Sequence, residues 1–388
     1  MPDNNADFGI LIVSLLAFLA AGAVSFASTP LVRMLAEKIG AIDVPRDARR
    51  MHKKPIPRLG GLAIFFGFLF AILLFGRIDH QTRGILLGAV IIVVLGVIDD
   101  SHPLGPKLKF AVQVAAALMP VLHGVVIERF SNPNIFSDNP YINLGVLSIP
   151  LTIVWIVGIT NAVNLIDGLD GLAIGVSSIA CFSLFAIAVM VSEPFVAIIM
   201  AALAGACIGF MPYNLNPARM FMGDTGATFL GYMLAVVSIQ GLFKFYAVVS
   251  FAVPFLILGL PIFDTLYAIV RRLRHGQNPM KPDRGHVHHR LIDMGFSQKQ
   301  SVAILYAMSG ILGLSAVVLT TSGELKAMLL LIAVIVAAMI GVRVVAGNMF
   351  SGAGRAQDGP GSEAQEEAPP QDGAENETPE ESEKNEED

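Results

Sequence analysis

The sequence predicts an all-α polytopic membrane protein, and three observations carry that expectation. Hydrophobic residues make up 54% of the 388-residue chain and charged residues only 15%, whereas a soluble domain carries about 25% charge. The mean hydropathy is +0.66. The apolar residues also fall in long blocks, several near the ~20 residues that a bilayer-crossing helix needs. A disordered chain, a disulfide scaffold and a soluble enzyme are excluded on these grounds.

In order, the apolar blocks fall at roughly 8–29, 59–76, 84–98, 108–127, 148–166, 172–191, 194–212, 226–242, 247–270, 300–320 and 326–346, so about eleven transmembrane helices are expected. The first is expected to be a span and not a signal peptide, because Asp3 and Asp7 precede it without a Lys or Arg and further spans follow. The block at 84–98 is short, and those at 172–191 and 194–212 stand close together. Between the fourth and fifth blocks, Asn, Pro, Ser and Asp separate short apolar patches over 128–147, the pattern of a small external hairpin. Cys181 and Cys207 lie inside apolar blocks and read as packing residues.

Charge divides the chain in two. Residues 351–388 hold 13 Asp and Glu against Arg355 and Lys384, a net −11, while the remainder carries +6. The expected organisation is an integral membrane domain over 1–346 and an acidic tail over 347–388, too poor in large apolar residues to fold. A basic body points to anionic partners such as lipid headgroups or nucleotides. The positive-inside rule orients the spans. Segments 30–58 and 271–299, with Lys107, Lys109 and Arg219, hold 18 Lys and Arg on one side; the opposite loops hold 5. The basic side is therefore expected to be cytoplasmic, with the N-terminus outside and the C-terminus inside.

Ionisable groups at span ends are expensive and usually functional, and here they gather on that cytoplasmic side. Asp99 and Asp100 end the third span in GVIDD. Asn161, Asn164 and Asp167 leave the fifth at i, i+3 and i+6, which places them on one helical face within ~120°. Gly168 and Gly171 then break the helix and let Asp170 turn back toward the same place. Asp224 precedes the eighth span in FMGDTG. Each motif has a plainer reading: a helix C-terminus capped by Asn and Gly, an N-cap at Asp224, an ordinary span boundary at Asp99-Asp100. The coincidence of five Asp beside two basic loops favours a site of hard oxygen ligands, which suits Mg²⁺ with waters and substrate phosphates rather than Zn²⁺.

The segment DRGHVHHR over 283–290 adds His286, His288 and His289 between Arg284 and Arg290. No cysteine is near, so these read as donors to phosphate or sugar oxygens, with a solvated loop as the plainer alternative. Asp264, in PIFDTLYAIVRR, reads first as the partner of a nearby Arg.

Six strings, in order, carry a resemblance: DVPRDARRMHKKPIPRLGGLAIF (43–65), GVIDD (96–100), NAVNLIDGLDGLA (161–173), YNLNPARMFMGDTGATFLGY (213–232), GLPIFDTLYAIVRR (259–272) and PDRGHVHHRL (282–291). Together the chain resembles the polyprenyl-phosphate N-acetylhexosamine-1-phosphate transferases, of glycosyltransferase family 4 type. It is most similar to the branch that uses undecaprenyl phosphate and UDP-N-acetylglucosamine. The resemblance implies ten or eleven helices in a bacterial inner membrane and a cytoplasmic active site. The implied reaction moves a sugar 1-phosphate from a UDP-sugar to a polyprenyl phosphate and releases UMP, starting teichoic acid, O-antigen or another surface glycan.

The resemblance also implies Mg²⁺, with Mn²⁺ as a substitute, on Asp224 and Asn164. It implies Asp99 orienting or deprotonating the lipid phosphate, Asp100 close to the metal, and Asp167 and Asp170 shaping the nucleotide pocket. His286, His288 and His289 would act on phosphate or sugar, with Lys54, Arg58, Asn161, Asp264, Arg284 and Arg290 contributing to substrate binding. Direct attack by the lipid phosphate and a two-step route through an enzyme Asp both fit. The expected partners are the UDP-sugar, the polyprenyl phosphate and the bilayer, with no nucleic acid and a homodimer left open. The alternatives are a transporter for an anionic substrate, whose site would lie near the bilayer midplane, and the UDP-muramoyl-pentapeptide branch of the same family.

Overall fold

The computed structural model describes residues 4–45, 54–131, 139, 141–241, 252–276, 285–322 and 332. Helices dominate it. The long apolar α1 (Asn4–Ile39) is followed by a two-stranded antiparallel pair, β1 (Ile42–Asp43) and β2 (Ile56–Pro57), and then by α2 (Gly61–Phe75), α3 (His80–Ser101) and α4 (Pro106–Leu122). The hairpin expected at 128–147 is present as β3 (Arg129–Ser131) paired antiparallel with β4 (Tyr141–Asn143). Next come α5 (Ser148–Ile166), α6 (Leu172–Met190), α7 (Pro194–Asn214), α8 (Gly223–Gly241), α9 (Ala252–Ile257), α10 (Gly259–Arg274), α11 (Val287–Asp293) and α12 (Gln298–Ser322). Among the described residues, six helices are long and apolar enough to cross a membrane: α1, α3, α5, α6, α7 and α12. The eleventh apolar block, apart from residue 332, and the tail over 347–388 lie outside the described residues.

The expected single span over 247–270 takes another form. Its described part is two helices, α9 and α10, that meet at Leu258, in a stretch where Pro254, Gly259 and Pro261 weaken a continuous helix. α10 also runs four residues past the apolar block and carries Arg271, Arg272 and Arg274 in its last turn.

The core centres on α8. Its side chains from Ala227 to Ile239 are almost all fully buried, Phe229, Tyr232 and Met233 among them, and it packs against α2, α3, α5 and α6. A helix that is apolar all round belongs in such a place. α1 lies against α7 at backbone distance. A Cβ on Gly205 would come within 2.1 Å of Phe18 O, and one on Gly209 within 2.2 Å of Gly22 O. Small residues four apart allow such close approach where an apolar solvent gives helices little reason to associate.

Four helix ends converge at one end of the bundle: the C-termini of α3 and α5 and the N-termini of α4 and α8. Two backbone ties draw in the first basic segment. Phe221 N donates to Pro57 O at 2.8 Å, and Gly61 N donates to Met222 O at 2.8 Å. The chain leaving β2 is thereby laid beside the start of α8, which brings Arg58 to the carboxylates.

Candidate active site

The site is assembled from helix ends, where backbone groups lack intrahelical partners. α8 begins at Gly223, a residue with φ +72°, and its first N–H groups are satisfied from another helix. Asp100 Oδ1 accepts from Asp224 N at 3.0 Å, while Oδ2 accepts from Thr225 N at 3.0 Å and Thr225 Oγ1 at 2.6 Å. Asp100 thus caps α8, and the plainer reading of Asp224 as its own N-cap is replaced. Released from capping, the Asp224 carboxylate accepts from Lys109 Nζ at 2.8 Å and from Asn164 Nδ2 at 3.2 Å. Lys109 also lies 2.6 Å from Asp99 Oδ2. Asp99 Oδ1 accepts from Leu104 N at 2.7 Å, which folds the turn between α3 and α4 back onto the carboxylate. Arg58 reaches the same corner: Nε stands 3.7 Å from Asp100 Oδ1 and donates to Asp100 O at 3.2 Å.

Beside this cluster lies a cavity of about 330 Å³, walled by Asp43, Arg58, Asp100, Asn164, Asp167, Asp170, Asp224 and His289, with Asn214, Phe221 and Gln298. Gly171, at φ +79°, turns the chain between α5 and α6, and Asp170 comes back to the cavity as expected. There its Oδ2 accepts from Asn216 Nδ2 at 2.9 Å and Ala218 N at 3.0 Å. Asp167 terminates α5. Burial in the cavity wall, together with the carboxylates of Asp224, Asp100 and Asp170, pushes it up to about 8. Five acidic side chains thus share the wall with Arg58, and Asp167 gives up its charge at neutral pH.

The expected residues divide into three groups. Arg58, Asp100, Asn164, Asp167, Asp170, Asp224 and His289 line the cavity, and Asp99 joins them through Lys109. Others stand behind or away from it. Asn161 sits a turn deeper, where Nδ2 donates to Gln113 Oε1 at 2.7 Å and to Val157 O at 2.8 Å, because three-residue steps advance along the helix as they rotate. Lys54 is exposed and not on the wall. Arg290 Nη1 donates to Tyr267 Oη at 3.1 Å at the surface. Asp264 is buried and off the cavity; it takes His286 Nδ1 at 2.8 Å, not the helical Arg that its sequence suggests. His286 and His288 are buried at 6% and 3% exposure. Burial and the neighbouring His289 and His286 push His288 down to about 4, with Asp264 opposing them. Arg284 lies outside the described residues.

Lys109 is the residue that sequence reasoning passes over. It appears there only as a loop charge, although its place one turn into a helix that follows GVIDD after a short turn was a usable signal. Asn214, Asn216 and Gln298 are likewise found only by folding.

The donor set suits a hard cation. Among the described residues no three His, Cys, Asp or Glu side chains form a metal cluster by themselves. A Mg²⁺ ion that keeps its waters and shares one or two carboxylates with substrate phosphates needs no such cluster, and Asp224 beside the Asn164 amide meets that smaller requirement.

The chain is similar in sequence to known proteins. Residues 82–242 match the glycosyl transferase family 4 profile. The chain is 44% identical over 296 residues to a probable undecaprenyl-phosphate N-acetylglucosaminyl 1-phosphate transferase of Bacillus subtilis, covering 76% of this chain and 81% of the relative. It is 35% identical over 354 residues to a decaprenyl-phosphate N-acetylglucosaminephosphotransferase of Mycolicibacterium smegmatis, covering 83% and 86%. An undecaprenyl-phosphate alpha-N-acetylglucosaminyl 1-phosphate transferase of Escherichia coli is 27% identical over 287 residues, covering 72% and 77%.

Proposed function

Because the chain belongs to glycosyl transferase family 4, we propose that it transfers N-acetylglucosamine 1-phosphate from UDP-N-acetylglucosamine to undecaprenyl phosphate, the first membrane step of a cell-surface glycan. An oxygen of the acceptor phosphate bonds to the sugar-bearing phosphorus, the bond from that phosphorus to the UMP oxygen breaks, and UMP leaves. The names of the relatives support the sugar phosphate and the polyprenyl acceptor. The Lys and Arg excess of the two segments that carry Arg58 and His289 supports a cytoplasmic site, and the bacterial relatives support a bacterial membrane.

One observation carries the reading: Asp99, Lys109, Asp224 and Asn164 form a continuous polar chain across four helix ends beside an acidic cavity. Asp224 and Asn164 would hold Mg²⁺. Bound there, Mg²⁺ would offset the phosphate charge that develops during transfer. Asp99 orients the acceptor phosphate or takes its proton. Lys109 holds Asp99 and Asp224 at a fixed separation and supplies a positive charge next to the transferred group. Asp167 and Asp170 shape the nucleotide end of the cavity, with Arg58 and His289 on its wall as donors to phosphate oxygens. Asp100 acts by capping α8 and so fixing where Asp224 points.

Donor choice is tested by offering purified protein UDP-N-acetylglucosamine and UDP-muramoyl-pentapeptide separately with undecaprenyl phosphate. Lipid-linked product is expected from the first alone; product from the second alone would move the chain to the other branch.

A further inference from the structure

Asp264 does not reach the cavity, yet its carboxylate holds the segment that does. Oδ2 accepts from His286 Nδ1 and Oδ1 from Val287 N, both at 2.8 Å. The two side chains are only 2% and 7% exposed. Val287 opens α11, and His286 at its N-cap makes no side-chain capping bond. A carboxylate from α10 therefore satisfies one of the helix's orphan donors. Seven residues further along α10, about 10 Å at the helical rise, Arg271 Nη1 donates to Gly285 O at 2.6 Å. α10 thus grips residues 285–287 at two points.

The histidine rings extend that grip to the cavity. His286 and His288 stack with centroids 5.7 Å apart and planes 7° apart. His288 is pressed against the turn after α5, where a Cβ on Gly168 would stand 2.2 Å from its Nε2. His289 packs on His288 at 4.3 Å between centroids and is the histidine on the cavity wall.

We infer that Asp264 is a positioning residue: through His286 it fixes α11 so that His289 faces the donor cavity. This rests on the reading of that cavity as the UDP-sugar site. His286 is then a strut whose Nδ1–H matters and whose ring touches no substrate.

The test uses full-length protein in nanodiscs. Asp264→Ala should raise the KM for UDP-N-acetylglucosamine about tenfold, the equivalent of about 1.4 kcal/mol of binding, with a smaller change in kcat. His286→Asn, whose amide N–H stands where the imidazole Nδ1–H does and can serve Asp264, should stay close to wild type, whereas His286→Leu should behave like Asp264→Ala. In a His289→Ala background, Asp264→Ala should cost little more, since both remove one contact. A His286→Asn variant as impaired as His286→Leu would overturn the inference, as would additive costs of Asp264→Ala and His289→Ala.

A second readout does not need turnover. Carbethoxylation of His288, followed by mass spectrometry, should be slow in wild type and about tenfold faster in His286→Leu, as local opening exposes the ring. Unchanged protection would overturn the clamp whatever the protein's reaction. A wild-type protein that turns over no UDP-N-acetylglucosamine, yet loses protection in His286→Leu, would sink the proposed function and leave the clamp standing.

Discussion

Lys109 donates to Asp224 across 115 positions of sequence, Nζ to Oδ2 at 2.8 Å, while the same ammonium stands 2.6 Å from Asp99. One cation holds together two carboxylates that would otherwise repel, and it does so at the meeting of α3, α4 and α8. The arrangement keeps the proposed acceptor-side carboxylate, Asp99, at a set distance from the proposed metal-side carboxylate, Asp224.

Removing that cation should damage turnover. Lys109→Gln retains length and a donor but no charge, and steady-state UMP release should fall by ~10²-fold, the scale of losing a preorganised charge-stabilising group. Near-normal turnover would reduce Lys109 to a structural contact.

Asp100 and Asp224 should fail in different ways. Asp224→Asn leaves the α8 cap in place, so the protein should fold normally and lose ~10²-fold or more in activity. Asp100→Ala removes the cap, so the thermal midpoint should drop, with a cost of about 1–2 kcal/mol. A thermal scan and a turnover assay on both variants check this; a stability loss confined to Asp224→Asn would reverse the assignment.

Helix contact at the site leaves no space for a methyl group. A Cβ on Gly96 would lie 2.3 Å from Thr225 Cα, whereas one on Gly158 meets nothing within 4 Å. Gly96→Ala should push α3 off the start of α8 and lower both thermal midpoint and activity. Gly158→Ala, inside α5, should leave activity unchanged and gain up to about 1 kcal/mol from helix propensity. Equal behaviour of the two variants would contradict the close packing described here.

Much of this was legible in the sequence, for identifiable reasons. Apolar block lengths report helices because each must bury or shed a full apolar surface, and α1 to α8 fall where those blocks lie. Asp99, Asp167 and Asp224 were visible because charge at a span end is costly. What stayed hidden depends on partners distant in the chain. That Asp100 caps a helix 123 residues away and that Asp264 binds His286 cannot be read from local spacing. Asn161 fits the face pattern with Asn164 but is drawn off by Gln113, a residue with no motif of its own. The break at Leu258 lies within an apolar block where hydropathy alone shows no interruption.

Acid should act on stability through His288. Its folded-state value, about 4, lies below the ordinary 6.5, so between those values the unfolded chain holds the proton and the folded chain does not. Its contribution is therefore complete above about pH 6.5 and is lost as pH falls toward 4, up to about 3 kcal/mol for a shift of this size. Thermal midpoints measured from pH 7.5 to 4.5 should fall less steeply in His288→Gln than in wild type. Parallel curves would place the acid sensitivity elsewhere.

The central claim is metal-assisted transfer of a sugar phosphate to a lipid phosphate, and UMP release by purified protein tests it most directly. UMP should appear from UDP-N-acetylglucosamine only when Mg²⁺ and undecaprenyl phosphate are both present, and EDTA should abolish it. Full UMP release in EDTA, or none with both Mg²⁺ and the lipid supplied, would contradict the account.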